Sequence, residues 1–355
     1  MGRSTSRRRN ERSQHAMQNG DTARMITPPE PRRIKLPDIT LSVHEAGSGT
    51  PVVMCHGFPE LAFSWSRQIH DLAAAGFRAI APDQRGYGKS DAPLEVTEYD
   101  LAHLTDDMAH LLDALEIDRA VFVGHDWGGF VAWGMPVRHP DRCLGVIGVN
   151  TPNISFPTTA EVKAAFGQDS DHYMLWMQEP RVAEAALEAD LRHAFSNWML
   201  PGVILDPDTP PMPLTGAFIA DLAHMKPNET TLLDAEEVEF FVRAFERSGF
   251  RGPVNWYRNM DRNRELCPGF GTTKLDLPCL QVVAERDPWI PAAAAAATEM
   301  TCSDVEIHRI ENAGHWTLHE QPAALSRIMI NWLNARFADG DAETQPPPNQ
   351  GRPKS

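Results

Sequence analysis

The chain has 355 residues, 42% of them hydrophobic, and a formal net charge of −15. That length can bury a large core as one domain with a big insertion or as two small ones, and the acidic balance argues against nucleic acid or an anionic membrane as partner. The charge is uneven: residues 1–33 hold eight arginines against Glu11, Asp21 and Glu30, a local +5 that leaves −20 for the remainder.

Residues 1–30 are rich in Arg, Ser and Asn and poor in apolar side chains, so they are expected to be disordered. Met1-Gly2-Arg3-Ser4-Thr5-Ser6 fits the loose myristoylation pattern, but a true start at Met17 or Met25 accounts for this stretch more simply. No apolar h-region follows, and no apolar run reaches the ~18 residues of a membrane-spanning helix. Strands are expected at 39–44, 52–55 and 77–81, then a helix over 101–115, a strand at Ala120-Val121-Phe122-Val123, a further helix, and a strand at 144–149. From about 151 to 273 the pattern turns helical, with proline-rich loops around 201–213. Strands resume at 277–283 and 305–310, and a helix closes the fold near 322–337. Alternation of this kind implies an α/β fold with a mostly parallel sheet and helices on both faces. Residues 31–150 and 274–337 form that core, 151–273 an inserted helical cap, and 338–355, with Pro346-Pro347-Pro348, a disordered tail. The five cysteines form no CxxC pair and suit a reducing cytoplasm.

The chemistry gathers at Gly124-His125-Asp126-Trp127-Gly128-Gly129, directly after the buried strand. Small residues around a central polar one at a strand-to-helix junction read as a nucleophile elbow, which pushes one side chain out above the sheet. Here that residue is Asp126. A serine attacking an sp³ carbon would leave an inert ether. A carboxylate, anionic above a reference pKa near ~3.9, leaves an ester that water can cleave. His125 should point inward as a structural residue. Asp287 lies just past the strand ending at Val283 and His315 past the strand ending at Ile310, where parallel sheets present reactive groups.

Five separated motifs carry a resemblance: His56-Gly57-Phe58-Pro59, Gly124 to Gly129, Asn255-Trp256-Tyr257-Arg258, Ala284-Glu285-Arg286-Asp287 and Gly314-His315. Together they are similar to the α/β-hydrolase-fold epoxide hydrolases of the soluble, free-standing type, over nearly all of residues 31–337. The resemblance implies that Asp126 is the nucleophile, His315 the base for water and Asp287 the group that orients its imidazole. It implies an oxyanion hole made by the backbone N–H groups of Phe58 and Trp127, with Pro59 after a cis peptide. It also implies that two cap tyrosines, Tyr173 and Tyr257, polarise the epoxide oxygen as neutral donors with pKa near ~10. Phe58, Trp127, Trp176, Met177, Trp289 and Trp316 would line an apolar cavity. Asp83-Gln84-Arg85-Gly86-Tyr87-Gly88 reads as a structural loop of the same family.

The expected activity is hydrolysis of a small hydrophobic epoxide by water to a vicinal diol, through an ester on Asp126. No cofactor or metal is expected, since neither ligand spacing nor a phosphate-cradling glycine loop stands out, and Gly269-Phe270-Gly271 lacks the rest of a dinucleotide fingerprint. The protein would act as a monomer or homodimer in the cytoplasm. A haloalkane dehalogenase shares the nucleophile and could use Trp127 to grip a halide, but it does not need the tyrosine pair. A catalytically silent fold used as a binding module is disfavoured because no triad member is missing.

Overall fold

The computed structural model describes residues 26–202 and 214–337. Within them eight strands form a single sheet: β1 (Arg32–Lys35), β2 (Thr40–Ala46), β3 (Pro51–Cys55), β4 (Arg78–Asp83), β5 (Ala120–His125), β6 (Cys143–Val149), β7 (Leu275–Ala284) and β8 (Cys302–Ile310). Their spatial order is β1-β2-β4-β3-β5-β6-β7-β8. The β1–β2 and β2–β4 pairings are antiparallel and every other pairing is parallel. The sequence gives no sign of β1, because Arg-Arg-Ile-Lys is short, charged and lies at the sheet edge. Charged side chains there discourage further strand addition. The expected myristoylation pattern, the alternative starts and most of both expected tails lie outside the described residues.

The period of two along the central strands sorts their side chains onto two faces. Val52, Met54, Val121, Val123, Ile147, Val149, Leu280 and Val282 pack with Ile69 and Leu72 of α1 (Ser66–Ala74) and with Leu325, Met329 and Leu333 of the closing helix (Pro322–Phe337). Val53, Cys55, Phe122, Val146 and Cys279 face the other way. They pack with α2 (Leu101–Ala114) and α3 (Trp127–Arg138), through Leu104, Met108, Leu111, Val131 and Met135. Both faces being covered is why these strands read as continuous apolar runs.

Between β6 and β7 the chain leaves the sheet for α4 (Thr159–Phe166), α5 (Tyr173–Trp176), α6 (Val182–Leu187), α7 (Leu191–Trp198), α8 (Gly216–Asp221), α9 (Ala235–Ser248), α10 (Arg251–Arg258) and α11 (Met260–Leu266). Their aromatic side chains merge with the α2/α3 face of the core. One anchor is polar. Arg85, in the loop after β4, is buried and pairs through two hydrogen bonds of 2.8 and 2.6 Å with Asp107 of α2. Its carbonyl accepts the Trp256 indole N–H at 3.2 Å, which ties α10 to the sheet.

Removing one partner of such a pair strands a charge in the interior. Asp107→Ala is expected to lower unfolding stability by about 3–5 kcal/mol, read as an earlier urea midpoint. The Arg85→Met/Asp107→Leu double variant should lose much less; equal losses would show that the ion pair is not what matters there.

Candidate active site

The elbow is built by close backbone approach. A Cβ on Gly124 would lie 2.0 Å from the Gly128 carbonyl oxygen, one on Gly128 2.1 Å from the Cys55 oxygen, and one on Gly129 2.5 Å from Thr151 Cβ. Asp126 sits between them at φ 50°, ψ −123°, a strained conformation for a residue with a side chain. The Thr151 hydroxyl holds its carbonyl at 2.8 Å. The carboxylate is thereby presented at the C-terminal edge of the sheet, next to the loop after β3. Gly57 permits that proximity, since a Cβ there would fall 2.5 Å from Asp126 Cβ. Phe58 N–H donates to Asp126 Oδ1 at 2.8 Å, and the Trp127 N–H also bonds the carboxylate. The peptide between Phe58 and Pro59 is cis. Burial pushes the Asp126 carboxyl above its usual range, against the opposing pull of His315, His125 and the two backbone donors.

Asp126 Oδ2 faces His315 Nε2 at 3.7 Å. On the other side of the ring, His315 Nδ1 lies 2.9 Å from Asp287 Oδ2. Asp287 is saturated with donors: Asn150 Nδ2 reaches Oδ2 at 2.7 Å, and the Trp289 and Ile290 N–H groups reach Oδ1 at 2.8 and 3.0 Å. Burial would raise its pKa, but the His315 charge and these donors hold it below the ordinary carboxylate value. For His315 burial acts to lower the pKa, and Asp287, Asp126 and Glu60 overrule it, lifting it to about 9. The imidazole is therefore held protonated at neutral pH, with Asp287 as its main stabilising partner.

Two phenols face this pair from the inserted helices. The Tyr173 and Tyr257 rings cross edge to face with centroids 5.9 Å apart. Tyr257 packs against Phe58 at 5.1 Å and Trp127 at 4.9 Å, and it receives a hydrogen bond from the Trp127 side chain. Tyr173 packs against Trp289 at 5.3 Å. Burial holds both phenols well above the ordinary tyrosine pKa, with the Asp126 charge acting the same way. Both are neutral donors.

A family model for the alpha/beta hydrolase fold matches residues 50–322. Epoxide hydrolase A of Mycobacterium tuberculosis is 36% identical over 318 residues, covering 86% of this chain and 97% of the relative. The chain belongs to the α/β-hydrolase-fold epoxide hydrolases. Bifunctional epoxide hydrolase 2 of Sus scrofa is 41% identical over 300 residues, covering 84% of this chain but 54% of that protein. The chain thus spans about half the length of the mammalian relatives it matches. The crystal structure of Epoxide Hydrolase A from Mycobacterium thermoresistibile superposes with a TM-score of 0.76 at 35% identity, over 86% of this chain and 98% of that one.

This epoxide hydrolase family member brings Asp126, His315, Asp287, Phe58, Trp127, Tyr173, Tyr257 and Trp289 together in one place. Trp316 also belongs there: its ring lies 4.7 Å from His315 and its indole N–H donates to the Trp198 carbonyl at 3.2 Å. Trp176 stands apart. It packs so tightly on Gly216 of α8 that a Cβ there would lie 2.1 Å from its Cγ, and among the described residues it has no ring contact with Tyr173, Tyr257 or His315. Met177 is wholly buried and caps the α5 turn. The contacts described for both are with the insertion itself.

Sequence reasoning passed over Asn150 and Glu60. Asn150 stands at φ 61° directly after β6, where Asn tolerates the left-handed conformation; a polar residue at a parallel strand's C-terminal end was the available signal. Glu60 follows the His-Gly-Phe-Pro motif without any periodic cue. It is fully buried, accepts the Gly57 N–H at 2.9 Å and contacts His125 Nδ1 at 2.7 Å. His125, turned inward, reaches the His315 carbonyl through Nε2 at 2.7 Å. Burial opposes ionisation of Glu60, yet His125 draws its pKa down to about 2. Glu60 and His125 thus join the loop after β3, the elbow and the loop that carries His315.

Because His315 gains protons on folding, its contribution to stability is full below its ordinary value of 6.5 and is lost as pH rises through about 9. Urea midpoints across this window should show wild type losing its advantage over His315→Gln as pH rises; a constant difference would mean that the imidazole is not charged in the folded chain.

Proposed function

We propose that this chain hydrolyses a small hydrophobic epoxide to a vicinal diol through a covalent ester on Asp126. The observation that carries this reading is the gathering of two neutral phenols around a carboxylate held by the Phe58 and Trp127 N–H groups. Asp126 attacks an oxirane carbon through Oδ2, the oxygen that faces His315. The C–O bond breaks, and its electron pair moves to the ring oxygen, which Tyr173 and Tyr257 hold and protonate.

Esterification removes the Asp126 charge, one of the influences that keep His315 protonated. The imidazolium then gives its proton, through solvent, to the phenolate left by ring opening, and the neutral imidazole acts as base, with Asp287 fixing its orientation. Water attacks the Asp126 carbonyl carbon, and the Phe58 and Trp127 N–H groups receive the oxyanion. The intermediate collapses to the diol and a regenerated carboxylate. Residues 151–273 serve as the cap that carries both phenols and, with Phe58, Trp127, Trp289 and Trp316, encloses the substrate.

No helix among the described residues is long and apolar enough to cross a membrane. The free, buried cysteines fit a reducing compartment such as the cytoplasm. Halide release is the less favoured chemistry, because the Trp127 side chain is engaged with Tyr257.

In a single turnover of styrene oxide in ¹⁸O-water, label should enter Asp126 and not the diol; label in the first diol would refute the ester. Tyr173→Phe combined with Tyr257→Phe should abolish ring opening in a folded protein, and retained opening would refute the role of the phenols. Incubation with a chloroalkane should release no chloride.

A further inference from the structure

A pair of donors can hold one oxygen only if their spacing is fixed. The turn that carries Tyr173 is four residues long, too short to hold itself in register. The phenols stand on separate segments, α5 and α10, and the contacts between those segments are unusually complete.

Arg258 directly follows Tyr257, and only 10% of its side chain is exposed. All five of its N–H donors find acceptors. Nε donates to the Met177 carbonyl at 3.1 Å; Nη1 to Glu184 Oε1 at 2.6 Å and Asn255 Oδ1 at 2.9 Å; Nη2 to the Glu179 carbonyl at 2.9 Å and Glu184 Oε2 at 3.0 Å. Met177 ends the turn that begins at Tyr173, and its N–H donates to the Tyr173 carbonyl at 2.9 Å. A guanidinium fixed beside one phenol therefore grips the backbone that carries the other.

Gln178 makes the return connection. Its Nε2 donates to the Tyr257 carbonyl at 3.0 Å and to the Met174 carbonyl at 2.8 Å. Each tyrosine segment thus supplies a side chain that holds the main chain of its partner. We infer that Arg258 and Gln178 are positioning residues, and that their reciprocal clamp sets the spacing of the Tyr173 and Tyr257 phenols over Asp126. This inference rests on the proposed ester mechanism. Neither side chain needs to touch the substrate. Lysine cannot replace Arg258, because an ammonium offers its donors from a single nitrogen and cannot reach Met177, Glu179 and Glu184 together.

The clamp acts on ring opening, which uses the phenols, and not on ester hydrolysis, which uses His315 and Asp287. Single turnovers of the full chain with styrene oxide, followed for ester formation and ester decay separately, test this in Arg258→Lys and Gln178→Leu. Misplacing the donors should slow ester formation by about 10²-fold in Arg258→Lys, with ester hydrolysis unchanged. Gln178→Leu should show the same split, and it decides the matter if Arg258→Lys does not fold. Equal slowing of both steps, or ester formation at the wild-type rate, would overturn the clamp alone. A wild-type chain that forms no ester would overturn the mechanism and the clamp with it.

Discussion

The Asp126 carboxylate is held in a strained elbow within hydrogen-bonding distance of the Phe58 N–H, and the rest of the site is arranged around that constraint. Such a backbone conformation costs of order 1–3 kcal/mol and persists only where the surroundings over-determine it. Here they do: Gly124, Gly128 and Gly129 allow the close approach of β3, α3 and the loop after β6, Gly57 that of the loop after β3, and Thr151 fastens the Asp126 carbonyl. The position of one carboxylate oxygen against a backbone donor leaves the other oxygen facing His315.

Charge is balanced locally. Asp126, Asp287 and Glu60 lie close enough to raise the His315 pKa against the effect of burial. Under the proposed mechanism, a cation held among carboxylates does not accept a proton until esterification removes the Asp126 charge. On that proposal the same two groups would serve consecutive steps without a change in fold. Glu60 and His125 add a second link between the loops, through the Gly57 N–H and the His315 carbonyl.

Much of this was legible in the sequence because parallel sheets impose position. Asp126, Asp287 and His315 each follow a recognisable apolar strand, and the glycines around Asp126 advertise the close backbone approach. Asn150 obeys the same positional rule, but nothing in its immediate sequence marks it as the donor to Asp287. Glu60 was illegible for another reason: a buried carboxylate is identified by its partner, and His125 lies 65 positions away. β1 was missed because four charged-rich residues at an edge carry no alternation. Trp176 reads as cavity lining from its place one turn after Tyr173, whereas its contact with Gly216 of the insertion could not be read from the sequence.

The central claim is that Asp126 becomes covalently attached to substrate and that His315 releases it. Intact-protein and peptide mass spectrometry of His315→Gln mixed with styrene oxide tests both halves at once. The expected result is a stable adduct of the mass of one epoxide, confined to the peptide containing Asp126 and absent from Asp126→Asn. An unmodified His315→Gln protein that still turns over epoxide, or an adduct on any other residue, would contradict the account.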